Sequence, residues 1–104
     1  MHGRVARYDY RGDPHDLARQ AEDGMLPIFR SQPGFKAYSI VDVGGEIISF
    51  SAWDSADSAD AANSVAAKWV SENMADEMDL KEARTGEILF STTLGVTTKT
   101  ATPA

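Results

Sequence analysis

The clearest hydrophobic pattern spans residues 33–53, PGFKAYSIVDVGGEIISFSAW. Two runs, 35–43 and 46–53, are rich in Phe, Tyr, Ile and Val, which suit a pleated surface. Gly44-Gly45 between them supplies the positive φ that a tight hairpin turn requires. Pro33-Gly34 marks the end of whatever helix precedes. Both faces of this hairpin are partly apolar. Phe35, Ala37, Val41 and Val43 alternate with Tyr38 and Ile40, and Ile48, Phe50 and Ala52 alternate with Ile47 and Trp53. A sheet with one wet face alternates cleanly between apolar and polar. This pattern predicts cover on both faces, more than one short chain supplies, and therefore a second subunit.

The other elements follow from period and punctuation. Residues 4–10 read as a strand carrying Val5, Ala6, Tyr8 and Tyr10. Asp13-Pro14 opens a helix, with aspartate as the N-cap and proline at the first helical position. Leu17, Ala21, Met25, Ile28 and Phe29 recur at helical spacing on one face. Gly24 and Pro27 interrupt it, which predicts a bend over 23–27 that either opens a pocket or follows the sheet. Asp54-Ser55 caps a second helix, expected to run to about Met78. Ala59, Ala62, Ala66, Trp69, Val70 and Met74 gather on its apolar face, with Asn63 at the edge and Asn73 near the centre. An acidic link over 79–82 leads to a last strand over 84–94. The order, strand-helix-strand-strand-helix-strand, predicts an α+β ferredoxin-like βαββαβ fold with a four-stranded antiparallel sheet and two helices.

At 104 residues the chain is one domain, expected over 1–94, with a flexible tail over 95–104 of small and polar residues. There is no cysteine, hence no disulfide, thiolate metal site or thiol nucleophile. The opening residues lack the apolar run of a signal peptide, and no stretch approaches a membrane span. A cytoplasmic protein is expected. The net charge of −6 is concentrated between Asp54 and Glu82, a face that repels phosphate backbones and argues against nucleic acid as a partner. Asp54, Asp57 and Asp60 fall at a helix start, where acids are expected anyway, so no metal site is read there.

Several segments resemble the antibiotic-biosynthesis-monooxygenase-like members of the dimeric α/β barrel superfamily. These are LPIFRSQPGFKAY at 26–38, the strand ending in Trp53 with its Asp/Ser/Ala-rich helix start, NSVAAKWVSENM at 63–74 and TGEILF at 85–90. The Trp-Val-x-Glu-Asn pattern from Trp69 resembles a set of small bacterial proteins of that group. The resemblance implies a homodimer with sheets face to face and helices outside, and one pocket per subunit between sheet and helices. It implies oxidation of phenolic or quinol substrates by molecular oxygen without metal, flavin or other cofactor. Haem degradation, found among other relatives, would need an iron ligand that the second helix lacks. Such relatives often carry a histidine on or after that helix. Here the histidines are His2 and His15, so a base would have to be a perturbed tyrosine or carboxylate.

The resemblance places Asn63 and Trp69 as the catalytic candidates, and Tyr8, Tyr38, Phe50, Trp69 and Asn73 as substrate-binding ones. Each has a plainer use. Asn63 can orient a substrate hydroxyl or satisfy a loop backbone group. Asn73 can pin a neighbouring connection. Trp69 can wall a flat ligand or simply fill core, and the tyrosines can keep their hydroxyls in water. Arg7 and Arg84 can hold an anionic substrate, or pair with Glu87 or Asp9. Two functions follow: a cofactor-independent monooxygenase-like enzyme for an aromatic or polyketide-like molecule, or a non-catalytic dimeric module that binds a small apolar ligand or a partner protein.

Overall fold

The computed structural model describes residues 1–98. The elements are β1 (His2–Tyr10), α1 (Pro14–Ser31), β2 (Phe35–Asp42), β3 (Glu46–Trp53), α2 (Ala56–Asn73) and β4 (Met78–Glu87). The strands form one antiparallel sheet in the order β2-β3-β1-β4. Both helices pack on one face of it, giving the ferredoxin-like fold.

Side chains alternate across a strand, and the β1–β3 register fixes which of them meet the helices. Arg4, Ala6 and Tyr8 stand opposite Ser51, Ser49 and Ile47, and all six are buried. From α1, Leu17, Ala21, Met25 and Phe29 descend at a spacing of four onto the sheet. α2 presents Ala59, Ala62 and Ala66, small enough to bring its backbone close to the strands. One core cluster joins Ala6, Tyr8, Leu17, Ile47, Met74 and Met78. The other joins Met25, Phe29 and Trp53 to the three alanines. Phe29 meets Trp53 edge-on at 5.1 Å and Tyr38 at 4.9 Å between ring centroids. A buried Leu17 or Phe29 contributes about 1.5–3 kcal/mol by leaving water.

Local chemistry sets the ends. The Asp13 side chain accepts from His15 N at 2.9 Å, and the Ser55 hydroxyl accepts from Ser58 N at 3.1 Å. Gly44 and Gly45 both adopt φ of 86°, and Val43 N donates to Glu46 O to close the hairpin. α1 passes through Pro27 without interruption as a helix. The carbonyl that proline deprives of a donor belongs to Asp23, which is exposed to solvent. Gly24 serves packing, because a Cβ there would collide with the Trp69 indole.

The last third departs from the sequence reading. α2 ends at Asn73, short of Met78, and the expected acidic link is strand. β4 pairs with β1 from Tyr10↔Met78 to His2↔Glu87, so the expected strand over 84–94 shifts toward the N-terminus. Its charges are used in place. Lys81 pairs with Asp9 at 3.2 Å and Asp79 with Arg11 at 2.8 Å. Arg7 pairs with Glu46 at 2.8 Å and Glu82 at 3.6 Å, not with Glu87 or Asp9, because Glu46 and Glu82 flank it across the sheet. Arg84 pairs with Glu82. Leu89 and Phe90 lie beyond the strand and are exposed. Of the tail expected over 95–104, residues 99–104 lie outside the described residues, and Val96 pairs with Ser91.

Both edge strands carry a bulge. In β2 the register slips between Phe35 and Ala37, leaving Lys36 without an opposite residue. In β4 it slips between Leu80 and Glu82, leaving Lys81 in the same position. The sheet face away from the helices exposes Val5 and Val41 and half-exposes Ile48 and Phe50. Among the described residues no helix is long and apolar enough to cross a membrane.

Candidate functional site

The site begins with an arginine. Arg4 points to the helix face of β1 and is 1% exposed. Its Nε donates to Asn63 Oδ1 at 2.8 Å, and its Nη2 donates to the Tyr8 hydroxyl at 3.1 Å. Both acceptors are neutral. Among the described residues no carboxylate lies within ion-pair distance of the guanidinium. Removing a charge from water without a counter-charge is costly, and hydrogen bonds to neutral groups offset only part of that cost.

Beside Arg4 lies a small, partly open cavity of about 20 Å³, lined by Arg4, Tyr8, Tyr38, Ser49 and Trp69, with Met25 among its apolar neighbours. That is room for roughly one water molecule. Tyr38 and Ile40 also line a second, open space of about 420 Å³, a groove between α1 and β2 that includes Ala18, Arg19, Glu22 and Leu26. The same two side chains thus border both the small cavity and an open groove of ligand size, which His15 also lines.

The cavity supplies donors and no base. Burial pushes the Tyr38 phenol up to about 12, with the neighbouring Tyr8 adding to the rise. Arg4 and a hydrogen bond with Ser49 pull it partly back. The sequence reading required a perturbed tyrosine or carboxylate as base. Tyr38 moves the wrong way for that role, and no carboxylate lines the cavity. What the lining offers an electron-rich oxygen is hydrogen-bond donors, from Arg4 and the hydroxyls of Tyr8, Tyr38 and Ser49.

The residues expected at the site fall into two groups. Asn63, Tyr8, Tyr38 and Trp69 come together around Arg4. Phe50 and Asn73 do not join them. Phe50 stands opposite Val5 on the other face of the sheet, against Gly3 and Ile88. The pleat parity that puts Ser49 and Ser51 inward turns Phe50 outward. Asn73 is exposed at the end of α2, where its amide Nδ2 donates to Trp69 O at 2.9 Å. The sequence reading passed over Arg4 and Ser49. Their only signal was position, Arg4 two residues from Ala6 and Ser49 two residues from Ile47, and it becomes readable once the β1–β3 register is known. Among the described residues no group of three or more His, Cys, Asp or Glu is placed to hold a metal ion. His15 is exposed on the first turn of α1.

No family model matches the sequence, and no curated protein matches it. Solved structures do. SnoaB, a cofactor-independent oxygenase from Streptomyces nogalater, matches in an asparagine-to-alanine mutant form with a TM-score of 0.68 at 14% identity, over 88% of this chain and 95% of that one. A monooxygenase from the ActVA-Orf6 gene of Streptomyces coelicolor, in complex with nanaomycin D, matches at 0.62 and 19%, over 86% and 92%. A dimeric ferredoxin-like protein from an uncultured marine organism matches at 0.63 and 10%, over 86% and 95%. The chain therefore shares its fold with antibiotic-biosynthesis-monooxygenase-like ferredoxin-fold proteins.

Proposed function

We propose that this chain is a cofactor-independent monooxygenase-like enzyme acting on an aromatic or polyketide-like small molecule as a homodimer. The observation that carries the reading is the buried Arg4–Asn63–Tyr8 cluster with Trp69 beside it, between the sheet and α2. An electron-rich ring needs an ionised oxygen to reduce dioxygen directly, and a buried cation with hydroxyl donors holds such an oxygen. For a ring CH₂ that becomes C=O, one atom of dioxygen is retained and the other leaves as water with both hydrogens. The fold is one that cofactor-independent oxygenases use. Asn63 would hold the guanidinium in place, Trp69 would wall the ring, and Tyr8 and Tyr38 would donate hydrogen bonds. Two copies would meet through the apolar outer face around Val5, Val41 and Phe50, a patch that water otherwise covers.

One observation favours a second reading: no carboxylate or histidine lines the cavity, which has room for about one water. A non-catalytic dimeric module that binds a small ligand or a partner protein would show the same. Oxygen consumption by metal-free protein, supplied with a panel of anthrones and quinols, separates the two. Consumption that depends on the protein and is lost in Trp69→Ala supports the enzyme. Silence across the panel supports the binding module.

A further inference from the structure

We infer that the small cavity beside Arg4 is a halide site, and that a chloride ion bound there is the counter-charge of the buried guanidinium. The ligand is monoatomic and inorganic. It binds whether or not the protein turns over a substrate.

Charge comes first. Arg4 is 1% exposed, and its two hydrogen bonds go to the neutral oxygens of Asn63 and Tyr8. The ion pairs among the described residues are all formed by other side chains. A cation taken out of water recovers only part of its lost hydration from neutral partners, and far more from one anion in contact. No carboxylate lines the cavity, so that anion comes from the solvent.

Hydrogen-bond capacity points the same way. A guanidinium carries five N–H groups, and here Nε–H and one N–H of Nη2 are used. Nη1 makes no hydrogen bond among the described residues. The buried Tyr8 hydroxyl accepts from Arg4, and its own proton goes to no group among the described residues. Ser49 and Tyr38 share a hydrogen bond, which uses one of their two hydroxyl protons. All four of these residues line the cavity. Donors are therefore in excess, and none of the lining acceptors is charged. A water molecule arrives with two hydrogens of its own to place. A halide arrives with none and accepts from several donors at once.

Space sets the size. About 20 Å³ is room for roughly one water, and chloride is little larger than a water molecule. Sulfate, phosphate and carboxylates are polyatomic and need more. The open groove of about 420 Å³ makes no such selection, and its arginine, Arg19, is exposed and already paired with Asp16 at 2.6 Å.

Sodium chloride exchanged for sodium gluconate at constant ionic strength tests this, because general screening then stays fixed. The readouts are the excess line width of chloride-35 and the Arg4 Nε–H resonance. In the wild type both should saturate with chloride, and bromide should compete. Arg4→Met removes the cation, and Asn63→Asp gives it a carboxylate from within the chain. The saturable response should be lost in both. Asn63→Asp keeps Arg4 and adds an attraction, so it decides the matter if Arg4→Met does not fold. In crystals grown from sodium bromide, the anomalous signal should include a bromide beside Arg4. No response, a response linear in salt, one retained in either variant, or bromide found only on exposed arginines and lysines would each overturn the inference. Neither the charge nor the donor excess depends on the function proposed above. Oxygen uptake without a chloride signal sinks the halide site alone, and a chloride signal without uptake sinks the enzyme alone.

Discussion

Arg4 on β1 and Asn63 on α2 are 59 positions apart in the chain and joined by one 2.8 Å hydrogen bond. That bond ties the sheet to the second helix and fixes the buried guanidinium at the same time. Asn63→Leu removes the acceptor and should cost about 1.5–3 kcal/mol, the range for a hydrogen bond to a charged group, read by urea unfolding. Asn63→Asp should do the opposite, because it supplies the missing counter-charge. Its carboxyl would be held below the ordinary value of about 3.9. The added stability would be present above that pH and lost as pH falls through the lowered value.

Gly24 and Trp69 make the second prediction. Alanine is normally favoured over glycine inside a helix by about 1 kcal/mol. At Gly24 the added methyl would meet the indole ring. Overpacking of a filled interior costs about 1–3 kcal/mol, so Gly24→Ala should be net destabilising and should shift the tryptophan emission. A neutral or stabilising result would mean that Trp69 has room to move.

Tyr38 predicts an alkaline signature. Its phenol stays protonated to about 12, against 10.0 for a free tyrosine. The folded state therefore holds a proton that the unfolded state releases. The corresponding stability is complete below about pH 10 and falls as pH rises toward 12. A phenolate absorbance titration should show a tyrosine ionising near 12, and Tyr38→Phe should remove that step and flatten the stability loss.

The outer sheet face predicts assembly. Sedimentation should give a species of about twice 11.3 kDa. Val41→Lys, at an exposed position of that face, should shift it toward the monomer without lowering the helix content.

Much of the fold was legible because large apolar residues announce their period. The four-residue spacing from Leu17 to Phe29 and the glycine pair between two β-rich runs identify α1 and the hairpin without further help. β4 was misplaced because its edge position suits charged residues. Asp79, Lys81 and Glu82 read as a link, while the apolar Leu89 and Phe90 that read as strand lie outside the sheet. The site divided the same way. Asn63 and Trp69 stand out on a helix face of known period. Arg4 does not, because its strand has polar residues on both faces and only the pairing with β3 turns that side chain inward. Which face Phe50 takes follows from that same pairing, which sets it opposite Val5.

The lysines at the two bulges bear on how the protein behaves when crowded. An unpaired strand edge is a template on which further chains can add and grow into fibrils. Here each edge is kinked, with Lys36 or Lys81 at the kink, so a strand approaching from the side meets broken spacing and a charged side chain, Lys81 being paired with Asp9. Growth along the sheet is discouraged while its broad face stays open. Concentrated solutions should therefore stay clear of amyloid-type dye signal, and replacing both lysines with valine should bring that signal on.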